Sequence, residues 1–266
     1  MTLRTNTERL RAIQRTLRVE PDGVLGPDTL TAIEQFLELQ QQASQAQTQG
    51  VQLGLRLSKP GINAIVRYEI GSDSYYQRRL RHPIWPGGDS GITIGIGYDL
   101  GFQTREDFRR DWADELPSAT ADQLELACGK KGRRAKNSVH EFRDISISLN
   151  RARRVFARTS LPTYAAKTQD AYPGMKNLEP DAQSALVSLV YNRGASMRNS
   201  DSRREMRDIR LHVLDEDYAA IAGSIRSMKR IWAGRNLDGL LKRRDAEAAM
   251  VEGAKRSYDA NEVVPL

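Results

Sequence analysis

A single cysteine, Cys128, among 266 residues excludes an internal disulfide, so packing alone has to hold the fold. Histidine is almost as scarce. His82, His140 and His212 lie far apart and show no ligand spacing with Cys128, so neither a metal nor any other cofactor is expected. No stretch approaches the roughly 20 apolar residues that a membrane-spanning helix requires. The segment Met1 to Leu17 is basic and polar and lacks the apolar run of a secretory signal. Synthesis in a cytoplasm is therefore expected, with any target outside it reached by other means.

What is present suits a soluble globular protein: 39% hydrophobic and 28% charged residues. The length accommodates one large domain, or a small module followed by a main one. Lys and Arg total 41 against 34 Asp and Glu, a net charge of +7 with a pI near 9.6. Such a surface attracts anions. Nucleic acid, an acidic membrane surface and the anionic polymers of a bacterial wall all qualify, and charge alone does not choose among them.

The pattern divides into a small helical module over 1–39, a linker over 40–55 and a main domain over 56–266. In the module, Leu10, Ile13 and Leu17 recur at helical spacing, as do Leu30, Ile33, Phe36 and Leu37. Between the two lies a run dense in turn formers, Asp22-Gly23-Val24-Leu25-Gly26-Pro27-Asp28-Thr29. This run resembles the Asp-Gly-x-x-Gly-Pro-x-Thr turn of the peptidoglycan-binding modules attached to wall hydrolases. The resemblance implies that Asp22, Gly23, Gly26 and Thr29 belong to a wall-binding element; a plain capping unit is the alternative. A helix-turn-helix is a weaker reading. The segment Thr29 to Leu39 carries Glu34 and Glu38 and no Lys or Arg, the wrong sign for a phosphate backbone, so no nucleic-acid partner is expected.

In the main domain, Ser58-Lys59-Pro60 reads as a helix start. Ile62, Ile65 and Val66 then form an apolar stripe whose next position is Glu69, and Gly71 is the stop signal. Burial and the negative end of the helix dipole both favour the protonated form of a carboxyl placed there, the state a general acid needs. The alternative is a glutamate at a frayed end, turned to water or paired with Arg67. Further on, Ile92, Ile94 and Ile96 alternate with Thr93, Gly95 and Gly97. If the chain stays extended, Asp99 shares the Thr93 face, over a glycine floor that a ligand can approach closely. A hairpin whose glycines serve only turns and twist is the competing reading.

Glu69, a loop, and Gly91-Ile92-Thr93-Ile94-Gly95-Ile96-Gly97-Tyr98 resemble the catalytic segment of phage-type lysozymes. The longer run from Pro86 to Gly101 is most similar to the pesticin-like branch. Ala182 to Gly194 resembles the central core helix of these enzymes, and Gly239 to Glu247 their C-terminal helix signature. The resemblance implies an α+β, mostly helical lysozyme-like fold with a small β-lobe. It also implies hydrolysis of the β-1,4 bond between N-acetylmuramic acid and N-acetylglucosamine. Carried over by position, Glu69 protonates the leaving oxygen, while Thr93 and an aspartate activate water on the opposite face. That division of labour is an inverting geometry, in which the carboxyls stand roughly 6.5–9.5 Å apart. The usual aspartate position, six residues before the threonine, is Gly87 here. Asp99 is favoured in its place, with Asp89 in a Gly-Gly-Asp-Ser-Gly turn as the alternative.

Tyr98, Asn192 and Arg193 are candidate substrate contacts, with Gly95 and Gly97 as the floor; packing is the alternative for Tyr98, as for Trp85. Trp112 and Trp232 read as core. The basic run Gly129 to Lys136 reads either as a solvated face or as an attractor for wall or outer-membrane phosphates. A monomer acting on peptidoglycan in a periplasm or wall is expected, released by a holin, by injection or by lysis. A lytic transglycosylase and a non-catalytic wall-binding protein are the competing functions.

Overall fold

The computed structural model describes residues 5–16, 19–26, 29, 53–254 and 257–266. The chain divides into two compact units, 1–52 and 53–266. The second apolar pattern of the first unit and the linker up to residue 52 lie outside the described residues.

In the first unit, α1 (Asn6–Thr16) presents a buried glutamine, Gln14, to the turn that follows. The Gln14 amide nitrogen lies within hydrogen-bond distance of Asp22 Oδ1 (2.7 Å), the Val24 carbonyl (2.9 Å) and Thr29 Oγ1 (3.0 Å). Its oxygen accepts from the Gly23 amide, and Asp22 accepts from the Val24 amide. Asp22, Gly23 and Thr29 therefore close a turn around Gln14. Their polar groups are engaged internally, although Asp22 stays exposed, as do the apolar side chains of Val24 and Leu25.

The second unit is mostly helical, with two small antiparallel sheets. In chain order its main elements are β1 (Arg56–Ser58), α2 (Lys59–Ile70), β2 (Thr93–Ile94), β3 (Tyr98–Asp99), α3 (Arg105–Trp112), α4 (Ser118–Glu125), α5 (Gly132–Ser138), α6 (Leu149–Val155), α7 (Leu161–Ala171), α8 (Pro180–Arg193), α9 (Arg204–Leu214), α10 (Tyr218–Ser227), α11 (Asp238–Glu252) and β4 (Val263–Pro265). Leu53 and Leu55, expected in the linker, belong to this unit. Both pack against its core, and Leu55 exchanges two backbone hydrogen bonds with Leu266. β1 then pairs with β4, Leu57 opposite Val264. No helix among the described residues is long and apolar enough to cross a membrane.

The centre is α8. Along it, Ala182 to Val190 is buried on every side. The polar members of that run are satisfied internally, as buried polar groups must be. Gln183 accepts from the Arg56 amide, Ser184 accepts from the Ser58 amide, and Ser188 donates to Glu247 at 2.6 Å. The helix α2 starts as its sequence predicts: the Ser58 hydroxyl accepts from the Gly61 amide, with Pro60 in the first turn. It lies so close to α8 that a Cβ on Gly61 would stand 2.3 Å from Ser184 Cβ. Gly61→Ala is accordingly expected to cost about 2 kcal/mol in a denaturant melt through overpacking.

Candidate active site

Glu69 occupies the last turn of α2, which Gly71 ends by donating its amide to the Arg67 carbonyl. The stripe Ile65, Val66 and Ile70 is buried and carries Glu69 to the edge of the core, where its side chain keeps 22% of its exposure. Arg67 is exposed and is not its partner. The partner is Arg243 of α11, which donates to Glu69 Oε1 at 3.0 Å. Burial raises the Glu69 pKa, and the Arg243 charge and hydrogen bond pull against that rise without cancelling it.

Glu69 Oε2 faces the β2–β3 turn. The chain does not stay extended from Thr93 to Asp99; it reverses through Gly95 and Gly97, both at positive φ. The extended reading is thus corrected in favour of a hairpin. That hairpin sets Thr93 directly opposite Asp99, while Ile92, Ile94 and Ile96 enter the core. At Gly97 a Cβ would stand 3.4 Å from Glu69 Oε2 and 3.2 Å from the Tyr191 hydroxyl, at a φ of +67°. Gly97→Ala is expected to strain the turn by roughly 1–2 kcal/mol and to press on the Tyr191 hydroxyl, the nearer of the two groups. A thermal melt measures the loss.

Beside the hairpin opens a cleft of about 520 Å³, within the range of small-ligand sites. Gly97, Asp99 and Phe102 line one end. One wall is the Asp107, Arg110 and Asp111 face of α3; the other is Thr159, Ser160, Thr163, Tyr164 and Lys167. That second wall begins in a π-helical turn, Phe156–Ser160, running into α7. A π-turn offsets the side chains that follow it and is frequent at functional sites. Tyr191, near the end of α8, also lines the cleft. It donates to the Ile96 carbonyl at 3.0 Å and stacks on Tyr164 with ring centres 4.2 Å apart. Burial, then the Glu69 charge, raises the pKa of both tyrosines, and the Asp99 charge adds to this at Tyr164.

Asp99 lines the cleft, but much of its carboxylate is occupied. It accepts from the Gly91 amide at 3.0 and 3.1 Å and from the Gly101 amide at 2.8 Å, capping the turn Leu100–Phe102. Burial raises its pKa against those two amides and the charge of Lys131. Thr93 is half-buried and is not a lining residue. Asp89 is exposed in the Gly87–Ser90 turn, near Gly132 of α5.

Two expected substrate contacts are engaged by other side chains of the protein. Tyr98 lines the cleft, yet it is largely buried, edge-on to Trp112 at 5.6 Å, and donates to Asp111 at 2.8 Å. Arg193 turns back over Trp232, 4.8 Å from the ring centre, and donates to the Ser202 carbonyl. Burial lowers its pKa to about 10; it anchors the end of α8. Asn192 is exposed. Trp85 is half-buried, its indole donating to the Ser90 carbonyl. Trp112 and Trp232 are core.

Tyr164, Tyr191 and Arg243 were not anticipated as site residues. Tyr191 had a signal, since it directly precedes Asn192-Arg193 at the end of the core helix. Arg243 had a partial one, its spacing of four from Glu247 on a helix. Among the described residues no group of His, Cys, Asp or Glu is placed to hold a metal ion. No curated protein matches the chain. A family model matches residues 68–234, a span that takes in Glu69, Thr93, Asp99, Tyr164 and Tyr191 and stops short of Arg243: the chain belongs to the domain family of unknown function DUF8812.

Proposed function

We propose that the main unit is a lysozyme-like glycoside hydrolase that cleaves the β-1,4 bond between N-acetylmuramic acid and N-acetylglucosamine in peptidoglycan. The observation that carries this reading is Glu69, a half-buried carboxyl whose burial favours the protonated form, which stands behind Gly97 and Tyr191, two residues that line the cleft, without lining it itself. An acid held this way can deliver its proton to a glycosidic oxygen at near-neutral pH. Asp99, opposite Thr93, supplies the second carboxyl that an inverting mechanism uses to activate water. The protein would act in a periplasm or wall, as a phage endolysin or an antibacterial toxin. In its first unit, the Gln14-braced turn would present Val24 and Leu25 to the wall.

One observation favours a second reading. The Asp99 carboxylate accepts amides from both Gly91 and Gly101, and burial raises its pKa. The amides occupy lone pairs that would otherwise hold a water, whereas the raised pKa by itself makes the carboxylate a stronger base. A lytic transglycosylase needs only the glutamate, because the sugar's own hydroxyl replaces water. Digestion of purified peptidoglycan decides between them. Hydrolysis yields reducing N-acetylmuramic acid ends carrying oxygen from isotopically labelled water, whereas transglycosylation yields 1,6-anhydro ends. Neither product, from folded protein, would sink the enzymatic reading altogether.

A further inference from the structure

The segment Lys130 to Lys136 carries Lys130, Lys131, Arg133, Arg134 and Lys136. Among the described residues, none of these cations has a carboxylate within ion-pair distance. The contrast with α3 is sharp, where Arg109 pairs with Asp122 and Arg110 with Asp107. Like charges crowded without ion-pair partners repel one another, a cost that an anionic partner reduces.

The segment is also sewn to the base of the site hairpin. The Gly129 amide donates to the Leu100 carbonyl at 3.1 Å, the Gly132 amide donates to the Ser90 carbonyl at 2.9 Å, and Lys131 bridges Gly91. Lys131 Nζ lies 3.6 Å from the ring centre of Phe102, an exposed aromatic that lines the cleft. Lys136 lies 5.6 Å from the ring centre of Trp85. The strip therefore begins at the cleft mouth, and a polymer leaving the cleft past Phe102 meets Lys131 first.

We infer that this strip extends the cleft and binds carboxylates on the acidic substituents of the same glycan strand. The inference rests on the proposed function, since it takes the cleft occupant to be peptidoglycan. Carboxylates are favoured over phosphates by contiguity. The strip is continuous with the cleft, and the anions that such a strand itself carries past the cleft mouth are carboxylates.

The test measures sedimentation with purified sacculi stripped of phosphate polymers. The protein carries Glu69→Gln so that the sacculi persist, and is compared with the same protein also bearing Lys131→Gln, Arg133→Gln, Arg134→Gln and Lys136→Gln. At about 0.1 M salt the added substitutions should weaken binding roughly tenfold, and raising the salt several-fold should erase the difference. Amidating the carboxylates of the sacculi should weaken the parent protein to the same extent and abolish the effect of the substitutions. Equal binding by the two proteins overturns the inference. So does a difference that survives amidation, or one seen only on sacculi retaining phosphate polymers. Because all four side chains are exposed, an unchanged melting curve is expected and separates binding loss from misfolding. If wild-type protein releases no new glycan ends while the charge dependence stands, the catalytic reading falls and the strip remains.

Discussion

Replacing Glu69 by glutamine should reduce glycan cleavage by about 10²–10⁴-fold, the usual contribution of a positioned general acid. Glutamine keeps the shape and a carbonyl oxygen for the Arg243 guanidinium, which otherwise retains Glu247 and the Ser188 carbonyl. The variant should therefore melt within about 1 kcal/mol of the parent. The pH profile carries the sign. Burial holds the Glu69 pKa above the ordinary glutamate range, so activity should decline as pH rises through the raised value, and the residual activity of Glu69→Gln should lack that alkaline limb. Stability shifts in the same direction. The folded state binds this proton more tightly than the unfolded chain, so the stabilisation from Glu69 is present below the unfolded pKa and is lost as pH rises through the folded one. Turnover of the variant near the wild-type rate would remove Glu69 from the mechanism.

Why Glu69 was legible and its surroundings were not follows from the range of the interactions. Ile62, Ile65 and Val66 lie within one short helix and Gly71 directly follows it, so its inward face and its end can be read locally. The hairpin was harder. Alternation from Ile92 to Ile96 is compatible with both a longer strand and a reversal, and only the positive φ of Gly95 and Gly97 decides it. Only the reversal brings Thr93 and Asp99 together; in one continuous strand they would share a face about 20 Å apart. The Arg243 contact joins residues 174 positions apart, and β1 pairs with a three-residue strand at Val263 to Pro265. No local pattern encodes such partners. Arg193 lies over the ring of Trp232, another partner far along the chain that no local pattern names.

The largest loss of stability is expected from Glu247→Ala. The helix α11 buries Arg243, Arg244 and Glu247 together beneath α8, and Glu247 is the hub. One oxygen accepts from Ser188, Arg243 and Arg244 at 2.6, 3.1 and 2.7 Å, and the other lies 2.6 Å from Arg244 Nε. Burial already holds the Arg244 pKa below its ordinary value, and Glu247 is what opposes that shift. Truncating the carboxylate strands a fully buried guanidinium, a defect that costs about 3–5 kcal/mol and would lower Tm by roughly 10 °C in a unit of this size. A purely structural salt bridge would stop there. Here Arg243 spans Glu247 and Glu69, so removing Glu247 leaves its positive charge to Glu69 alone. The anionic form of Glu69 is then favoured, and the alkaline limb of the activity profile should move to lower pH. Glu247→Gln, which keeps the hydrogen-bond acceptor but not the charge, should show the same displacement with a smaller loss of Tm. A melt unchanged by Glu247→Ala would deny the hub its structural role, and a fixed limb in both variants would uncouple it from the acid.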